Sequence, residues 1–418
     1  MNQPLSLQKP MHWTAWLLLL GIASLALAPQ YVLMDRRLFG QELTTVHHLL
    51  VLVLALPHLI QRGLRQWWNP IFVAYSVLLI FSFSLAQRPE QLETLQSFRS
   101  MFSFLLAPLL FQINLQAPTA YRVVQIVAFW HISNTLIGLL ILPIGGHSPI
   151  NNVYLTWRFQ GGSDTSDFAI SGLLALVSCL VLARQHRGYY ALALLALVMV
   201  LFTFSRVPAV LAVVIVCLLL AKYQTALVNL TWKDLRPVVL WASPLVVVIA
   251  ILSIQGFIAR TFHDVGSQSD FELSENIVIY SSGRLDAWRW NWERAMTSPV
   301  FGLGVGAGTL PFPENPNAFR TPLNEFLRLL VDGGWLGLGL VLLAYAYTFW
   351  WVWLRTPPEL RLYLACLYLV YGVSFSFFNA LSNQQFAVNF WMLLSAFVTP
   401  QLLEQMAKRT PKHAQLTQ

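Results

Sequence analysis

Hydrophobic residues in this chain form long runs that are separated by short polar stretches. Runs of roughly 18 or more mostly apolar residues recur, and each is long enough to cross a bilayer as an α-helix. The first run is followed by further runs and has no obvious cleavage context, so we interpret it as a retained helix rather than a signal peptide. The pattern predicts twelve spans: 11–29, 45–61, 68–86, 98–114, 120–144, 166–183, 189–204, 207–221, 237–258, 330–354, 360–379 and 384–403.

The composition also indicates a membrane protein. Of the 418 residues, 56% are hydrophobic and only 11% are charged, whereas soluble domains carry about 25% charged residues. In a soluble protein the net charge of +8 would suggest a nucleic-acid partner. Here the charge lies in loops that set the orientation of spans, so no nucleic acid is expected. The predicted fold class is an all-α polytopic membrane protein with about twelve transmembrane helices.

Charge is distributed unevenly between the loops. The basic loops are 61–66, 183–188, 221–237 and 355–361, and the positive-inside rule places them and both termini in the cytoplasm. All five lysines then lie inside, whereas twelve arginines and fifteen of the eighteen acidic residues lie outside or at the external ends of spans. The single membrane domain is thus predicted to comprise helices one to nine (1–258), a large external helical loop (259–329), and helices ten to twelve with a cytoplasmic tail (330–418).

Four of the external arginines lie where a span meets the external face: Arg99, Arg158, Arg206 and Arg284. Arginine binds carboxylate or phosphate through two parallel hydrogen bonds. An interfacial anchor whose charge reaches the lipid headgroups is the alternative for each. Arg206 fits an anchor least well, because its connection is only a few residues long. A helix that begins after Ser205 would also present free N–H groups to an anion.

The segment 281–296 is predicted to be an amphipathic helix capped by Ser281 or Ser282. Arg284, Trp288 and Trp292 follow at intervals of four residues and therefore share one face. Such a helix could lie on the membrane with its tryptophans facing lipid. The same face could also cover a lipid-linked substrate while Arg284 holds its phosphate, and the two interpretations are compatible.

The glycines that follow this helix predict a loop with close backbone approach: Gly302, Gly304, Gly306 and Gly308. A dinucleotide site is excluded because the chain lacks a βαβ context. The external histidines have no metal-ligand spacing. Neither a metal nor a cofactor is therefore predicted.

Four blocks in this order resemble the bacterial O-antigen ligase and O-antigen polymerase superfamily: "WRFQGG", "FTFSR", "SSGRLDAWRWNWERAMTSPVFGLGVG" and "PLNEFLRLLVDGGWLGLGL". The resemblance implies a metal-independent membrane glycosyltransferase of the GT-C type in the bacterial inner membrane. It implies a donor glycan on undecaprenyl pyrophosphate and an active site that faces the periplasm, so the large loop would be periplasmic. A ligase passes the glycan to a sugar hydroxyl of the lipid A core, whereas a polymerase passes it to another lipid-linked repeat.

The resemblance also assigns roles to individual residues. Arg206 and Arg284 match the arginines that hold the donor pyrophosphate, and Arg158 and Arg99 are further matches. In the ligase pattern a His precedes an Asn, Ser or Gln, which is followed after nine residues by Gly-x-x-Gly. Three positions of this sequence fit the pattern: Asn324, Gly334 and Gly337.

The position of the family histidine is occupied by Leu323, which cannot accept a proton. Glu325 is a candidate replacement base, although an acid favoured by the dipole at a helix start explains it equally simply. His263 or Glu314 of the large loop are further candidates. A different acceptor, or a substituted and inactive form, would also account for the change.

The resemblance leaves ligase and polymerase open, with the spacing from Asn324 to Gly337 favouring the ligase. A flippase of lipid-linked sugars is the competing class, and it would need a polar path through the membrane. Charge is nearly absent from the span centres, and arginines gather at one face. This pattern favours chemistry on one side of the membrane.

Overall fold

The computed structural model describes 11–27, 37–38, 41–65, 67, 69–87, 94–145, 150–153, 156–161, 163–222, 271–274, 277–279, 284–310, 323–378, 380–381 and 383–408. Helices dominate these residues. They are α1 (Trp13–Leu27), α2 (Leu43–Arg62), α3 (Pro70–Ser84), α4 (Thr94–Phe111), α5 (Ala117–Ala128), α6 (Trp130–Gly145), α7 (Thr165–Ala183), α8 (Gly188–Phe202), α9 (Arg206–Lys222), α10 (Arg284–Thr297), α11 (Glu325–Arg355), α12 (Arg361–Phe377), α13 (Gln384–Phe397) and α14 (Leu402–Lys408).

Helices occur at eleven of the twelve predicted spans, and the ninth, 237–258, lies outside the described residues. Within the described part, four helices are long and apolar enough to cross a membrane by themselves. A fifth span results if α5 and α6, which meet at an angle of 56°, are counted together. The apolar all-α architecture is thus confirmed, whereas the count of twelve spans stays a prediction.

Three short antiparallel hairpins accompany the helices. They pair β1 (Arg37–Leu38) with β2 (Gln41–Glu42), β3 (Ile150–Val153) with β4 (Thr156–Phe159), and β5 (Phe271–Ser274) with β6 (Ile277–Ile279). Each lies in a stretch that the sequence predicts to be an external loop. The β3–β4 hairpin carries Arg158, one of the predicted site residues, on β4.

Helix α13 lies at the centre of the fold, and every one of its residues is buried. It packs against α4, α5, α7 and α1. Its N-terminus follows a buried turn after α12, and this turn contributes to the candidate site described below.

Helix α11 is broken at Gly334, where φ is +61°. The break folds the helix back on itself. Phe326 and Tyr345 would be separated by about 28 Å along a straight helix, yet their rings lie 4.8 Å and 6.2 Å from the same Phe375 ring. We call residues 325–333 the half-helix and residues 335–355 the long arm. The predicted tenth span, 330–354, therefore starts before the break, and only its later part belongs to the long arm.

A neighbouring segment supplies the backbone hydrogen bonds that the break removes. We call residues 298–309 the glycine segment. Four bonds join it to α11: Leu303 N to Val331 O (2.7 Å), Gly304 N to Asp332 O (3.0 Å), Trp335 N to Pro299 O (2.8 Å) and Leu336 N to Val300 O (3.3 Å). Carbonyls before the break and N–H groups after it are thus paired with the glycine segment instead of with each other.

The glycine segment approaches α11 so closely that side chains would collide. A Cβ on Gly302 would lie 2.6 Å from the Asp332 carbonyl oxygen, and one on Gly308 would lie 2.7 Å from that of Arg328. Gly302 also has a φ of +72°. The prediction of a loop with close backbone approach is confirmed.

Candidate functional site

Arg206 is the first residue of α9 and is half-buried. The turn before it has a left-handed residue, Phe204, and the Thr203 hydroxyl accepts a hydrogen bond from Ser205 N at 3.2 Å. The helix start predicted after Ser205 is confirmed. The first N–H groups of a helix have no helical partner, so the start of α9 offers donors beside the guanidinium.

Arg158 contacts the same turn from β4. Its Nε donates to the Thr203 carbonyl at 2.9 Å, and its Nη2 donates to the Ser205 hydroxyl at 3.4 Å. Only 5% of Arg158 is exposed. This side chain therefore holds the turn that leads directly into Arg206.

The loop after β4 connects this turn to the start of α13. The Ser163 hydroxyl donates to Gln385 Oε1 at 2.7 Å and accepts from Asn134 Nδ2 at 3.0 Å. Asp164 caps α7, and Asn383 caps α13. These polar residues are not among the site residues predicted from the sequence. The polar runs "GGSDTSD" and "SNQQ" at the starts of two predicted spans are the signal that could have indicated them.

Arg284 is the first residue of α10, and its guanidinium carbon lies 5.6 Å from the centre of the Phe378 ring. One turn later, the Trp288 ring lies 6.2 Å from Phe377. Trp292 is 46% exposed and lies edge-on to the Trp335 ring at the break in α11. The predicted helix is present, and the face predicted to contact lipid also packs in part against protein.

Arg294, near the end of α10, fastens this helix to the glycine segment. Its Nη2 donates to the Ala307 carbonyl at 3.1 Å, and its guanidinium lies 4.4 Å from the centre of the Trp290 ring. Burial lowers the pKa of Arg294, and the nearby Asp332 carboxylate opposes this shift. Helix α10 is therefore docked on the bundle at both ends.

Asn324 caps the half-helix, because its Oδ1 accepts a hydrogen bond from Leu327 N at 3.1 Å. Leu323, which precedes it, has a φ of +49°. A polar residue at position 324, ahead of the apolar helix, is thus explained by its role as the cap of the half-helix. Gly337, later in the motif, permits close packing with α3, since a Cβ there would lie 2.5 Å from Leu78 Cδ1.

Replacing Asn324 by alanine should lower the free energy of unfolding by about 1 kcal/mol, because the Leu327 N–H loses its acceptor. Asn324→Asp, which keeps an acceptor oxygen, should retain most of that stability. Thermal unfolding of the two variants in detergent measures the difference. Equal melting temperatures for both variants would contradict the capping role.

Glu325, Arg328 and Asp332 form a buried charged group on the half-helix, and each is 0% exposed. Arg328 Nη1 lies 3.0 Å from Glu325 Oε2, and Glu325 Oε1 accepts from Leu381 N at 2.8 Å. The Asp332 carboxylate accepts from Gly308 N at 2.7 Å. Of the three, only Glu325 is predicted as a site residue from the sequence. The spacing of three and then four residues nevertheless places all three on one helix face.

The remaining predicted residues are placed as follows. Arg99 lies exposed on α4. The alternative bases His263 and Glu314 lie outside the described residues. No group of three or more His, Cys, Asp and Glu residues suited to a metal ion occurs within the described ranges.

The turn at 378–383 is where several of these groups meet. Phe378 contacts Arg284, Leu381 contacts Glu325, and Gln385, just beyond the turn, contacts the loop that follows Arg158. The long apolar helices around these groups are typical of an integral membrane protein.

Residues 191–342 match the model of a family described as O-Antigen ligase. The match confirms the predicted resemblance to the O-antigen ligase and O-antigen polymerase superfamily. It supports a ligase- or polymerase-type function, a membrane glycosyltransferase-like activity, and a setting of lipid-linked glycans and membrane lipids. Comparison with curated proteins gave no significant match.

Proposed function

We propose that this protein transfers a glycan from undecaprenyl pyrophosphate to a sugar hydroxyl of the lipid A core at the periplasmic face of the bacterial inner membrane. Both termini would lie in the cytoplasm. The observation that carries the proposal is the position of Arg206 and Arg284. Arg206 is the first residue of α9, Arg284 is the first described residue of α10, and both lie inside the stretch that matches the O-antigen ligase family.

The chemistry fits these two residues. Pyrophosphate leaves readily once its charge is balanced, and that charge grows on the departing oxygen in the transition state. Guanidinium groups beside the free N–H groups of a helix start supply such a balance without a metal. The acceptor hydroxyl attacks the anomeric carbon from the opposite face and inverts its configuration.

Other predicted residues have supporting roles in this proposal. Arg158 holds the turn that presents Arg206, and Arg99 marks the external end of α4. Helix α10 covers the lipid-linked donor, with Trp292 exposed towards lipid. Asn324 and Gly334 bound the half-helix that lies under the site, and Gly337 packs the long arm against α3.

A general base adds about 10²–10⁴-fold to such a reaction. Leu323 cannot serve as one. Glu325 is fully buried and already bonded, which argues against direct contact with an incoming hydroxyl. Transfer by positioning and charge stabilisation, without a base at position 323, is therefore the simplest form of the proposal.

A polymerase is the second candidate, because the family match supports both types and the two differ in the acceptor. The decisive experiment supplies purified protein with undecaprenyl-pyrophosphate glycan and one of two acceptors, lipid A core or a second lipid-linked repeat. Transfer to the core is expected. Transfer only to the second repeat would replace the ligase proposal with the polymerase. Transfer to neither, with lipid-linked glycan retained on the cytoplasmic side in cells that lack the protein, would favour the flippase.

Leu323→His should raise the rate of transfer, because it restores a proton acceptor where the family has one. Histidine also tolerates a positive φ better than leucine does. An increase of about tenfold or more in kcat, with a new dependence on pH near 6–7, is expected from a general base. Leu323→Asn suits the same backbone and lacks the base, so it should leave kcat unchanged. Equal rates for both variants would show that position 323 takes no part in proton transfer.

A further inference from the structure

The described residues of the turn between α12 and α13 are buried although they form no regular secondary structure. Phe378, Ala380, Leu381 and Asn383 are each at most 3% exposed. A buried backbone N–H group needs an acceptor, because leaving it unpaired costs about as much as a lost hydrogen bond. At Leu381 that acceptor is the Glu325 carboxylate, at 2.8 Å.

Arg328 allows the Glu325 carboxylate to be charged in this buried place. The ion pair joins Arg328 Nη1 to Glu325 Oε2 at 3.0 Å, and neither side chain is exposed. A carboxylate buried without such a partner would be strongly destabilised. Arg328 Nη1 also donates to Glu325 Oε1 at 3.3 Å, so the oxygen that holds the turn is bonded to the arginine as well.

The same turn also supports Arg284. Phe378 lies three residues before Leu381, and the Arg284 guanidinium lies 5.6 Å from the centre of its ring. A cation over an aromatic face is held electrostatically, most strongly where water is excluded. Trp288, on the same face of α10, contacts the adjacent Phe377. The position of Arg284 thus depends on where this turn lies.

We infer that Glu325 is a positioning residue that fixes the 378–383 turn and, through Phe378, the guanidinium of Arg284. The inference rests on the proposed role of Arg284 in binding the donor pyrophosphate. It replaces the interpretation of Glu325 as the catalytic base. The fold-back at Gly334 makes the contact possible, because it carries the start of the half-helix into the bundle.

Two matched double variants test the inference. Glu325→Gln/Arg328→Met removes both buried charges but keeps a side-chain oxygen for Leu381 N. Glu325→Leu/Arg328→Met removes the charges and the oxygen. The two differ in the side-chain amide that supplies the acceptor, and neither contains a carboxylate base at position 325. Both keep Asp332 with its bond from Gly308 N and with Arg294 nearby.

Amide hydrogen exchange measures how Glu325 affects the 378–383 turn and α10, and it needs no ligand. In the Leu variant, amide exchange should rise by about tenfold or more in the 378–383 turn, since one buried hydrogen bond is lost, and it should rise in the first turn of α10 as well. The Gln variant, which keeps an acceptor for Leu381 N, should stay close to the wild type in both places. Equal exchange in the two double variants would overturn the inference, whether or not the protein proves to be a transferase.

The functional readout is kcat and KM with undecaprenyl-pyrophosphate glycan as donor. The Leu variant should have a kcat/KM about tenfold below that of the Gln variant, because only the Leu variant displaces Arg284. An equal loss of kcat in both variants, with normal exchange in both, would identify Glu325 as the base instead. If the wild-type protein transfers nothing, the proposed function fails, and the exchange comparison still decides whether Glu325 anchors the turn.

Discussion

Arg206→Ala should lower the rate of glycan transfer by about 10²–10³-fold, which is the usual effect of removing one preorganised donor from a site of developing negative charge. The effect should appear mainly in kcat, because charge on the leaving pyrophosphate is greatest in the transition state. The fold should be retained, since Arg206 is half-buried and begins a helix whose turn Arg158 holds from the other side. Purified protein assayed with saturating donor measures the loss.

Two further variants are compared with Arg206→Ala in this experiment. Arg206→Lys keeps the charge but loses the planar fork, so an intermediate rate is expected. Arg289→Ala removes an exposed arginine from α10, and it should transfer at the wild-type rate. In cells, Arg206→Ala should cause lipid-linked glycan to accumulate on the periplasmic side. A wild-type rate for Arg206→Ala would remove the central support for the proposed function.

Gly334→Ala should prevent normal folding of the region around α11. A methyl group there would collide with the Val300 carbonyl and would lie 2.6 Å from the Pro299 carbonyl oxygen. The backbone also has a φ of +61°, which disfavours any side chain. The strained backbone and the steric overlap each contribute about 1–3 kcal/mol. We expect low yield and a clearly reduced melting temperature in detergent.

Gly339→Ala is the matched control on the long arm. A Cβ at Gly339 meets nothing within 4 Å. Alanine in a helix interior is favoured over glycine by about 0.5–1 kcal/mol, so this variant should be as stable as the wild type or slightly more stable. Similar melting temperatures for both variants would contradict the break at Gly334.

Local signals predict the start of α9 and the presence of α10 correctly, while the predicted caps of α10, Ser281 and Ser282, lie outside the described residues. Ser205 followed by an apolar run indicated the start of α9 at Arg206, and the amphipathic spacing indicated α10. The dense glycines after α10 indicated a loop in close contact with other backbone. These features follow from nearby residues, and sequence patterns therefore reveal them.

The fold-back of α11 was not predictable in the same way. Apolar residues continue across Gly334 on both sides, so the run reads as one long span with a permissive glycine. The partners that define the break, Pro299 to Gly304, lie about thirty residues earlier in the chain. Likewise, Ser163 and Gln385 are far apart in sequence, and only the fold brings them together.

The half-helix also has a consequence for the way this protein is made. Its nine residues rise about 13 Å, less than half of the roughly 30 Å of a hydrocarbon core. It carries Glu325, Arg328 and Asp332, and charged side chains facing lipid are strongly unfavourable. The half-helix therefore cannot settle as an independent segment when it leaves the insertion machinery. Helix α3 and the glycine segment precede it in the chain, but the turn after α12 is made later, so we expect the half-helix to dock only after α12 has been inserted.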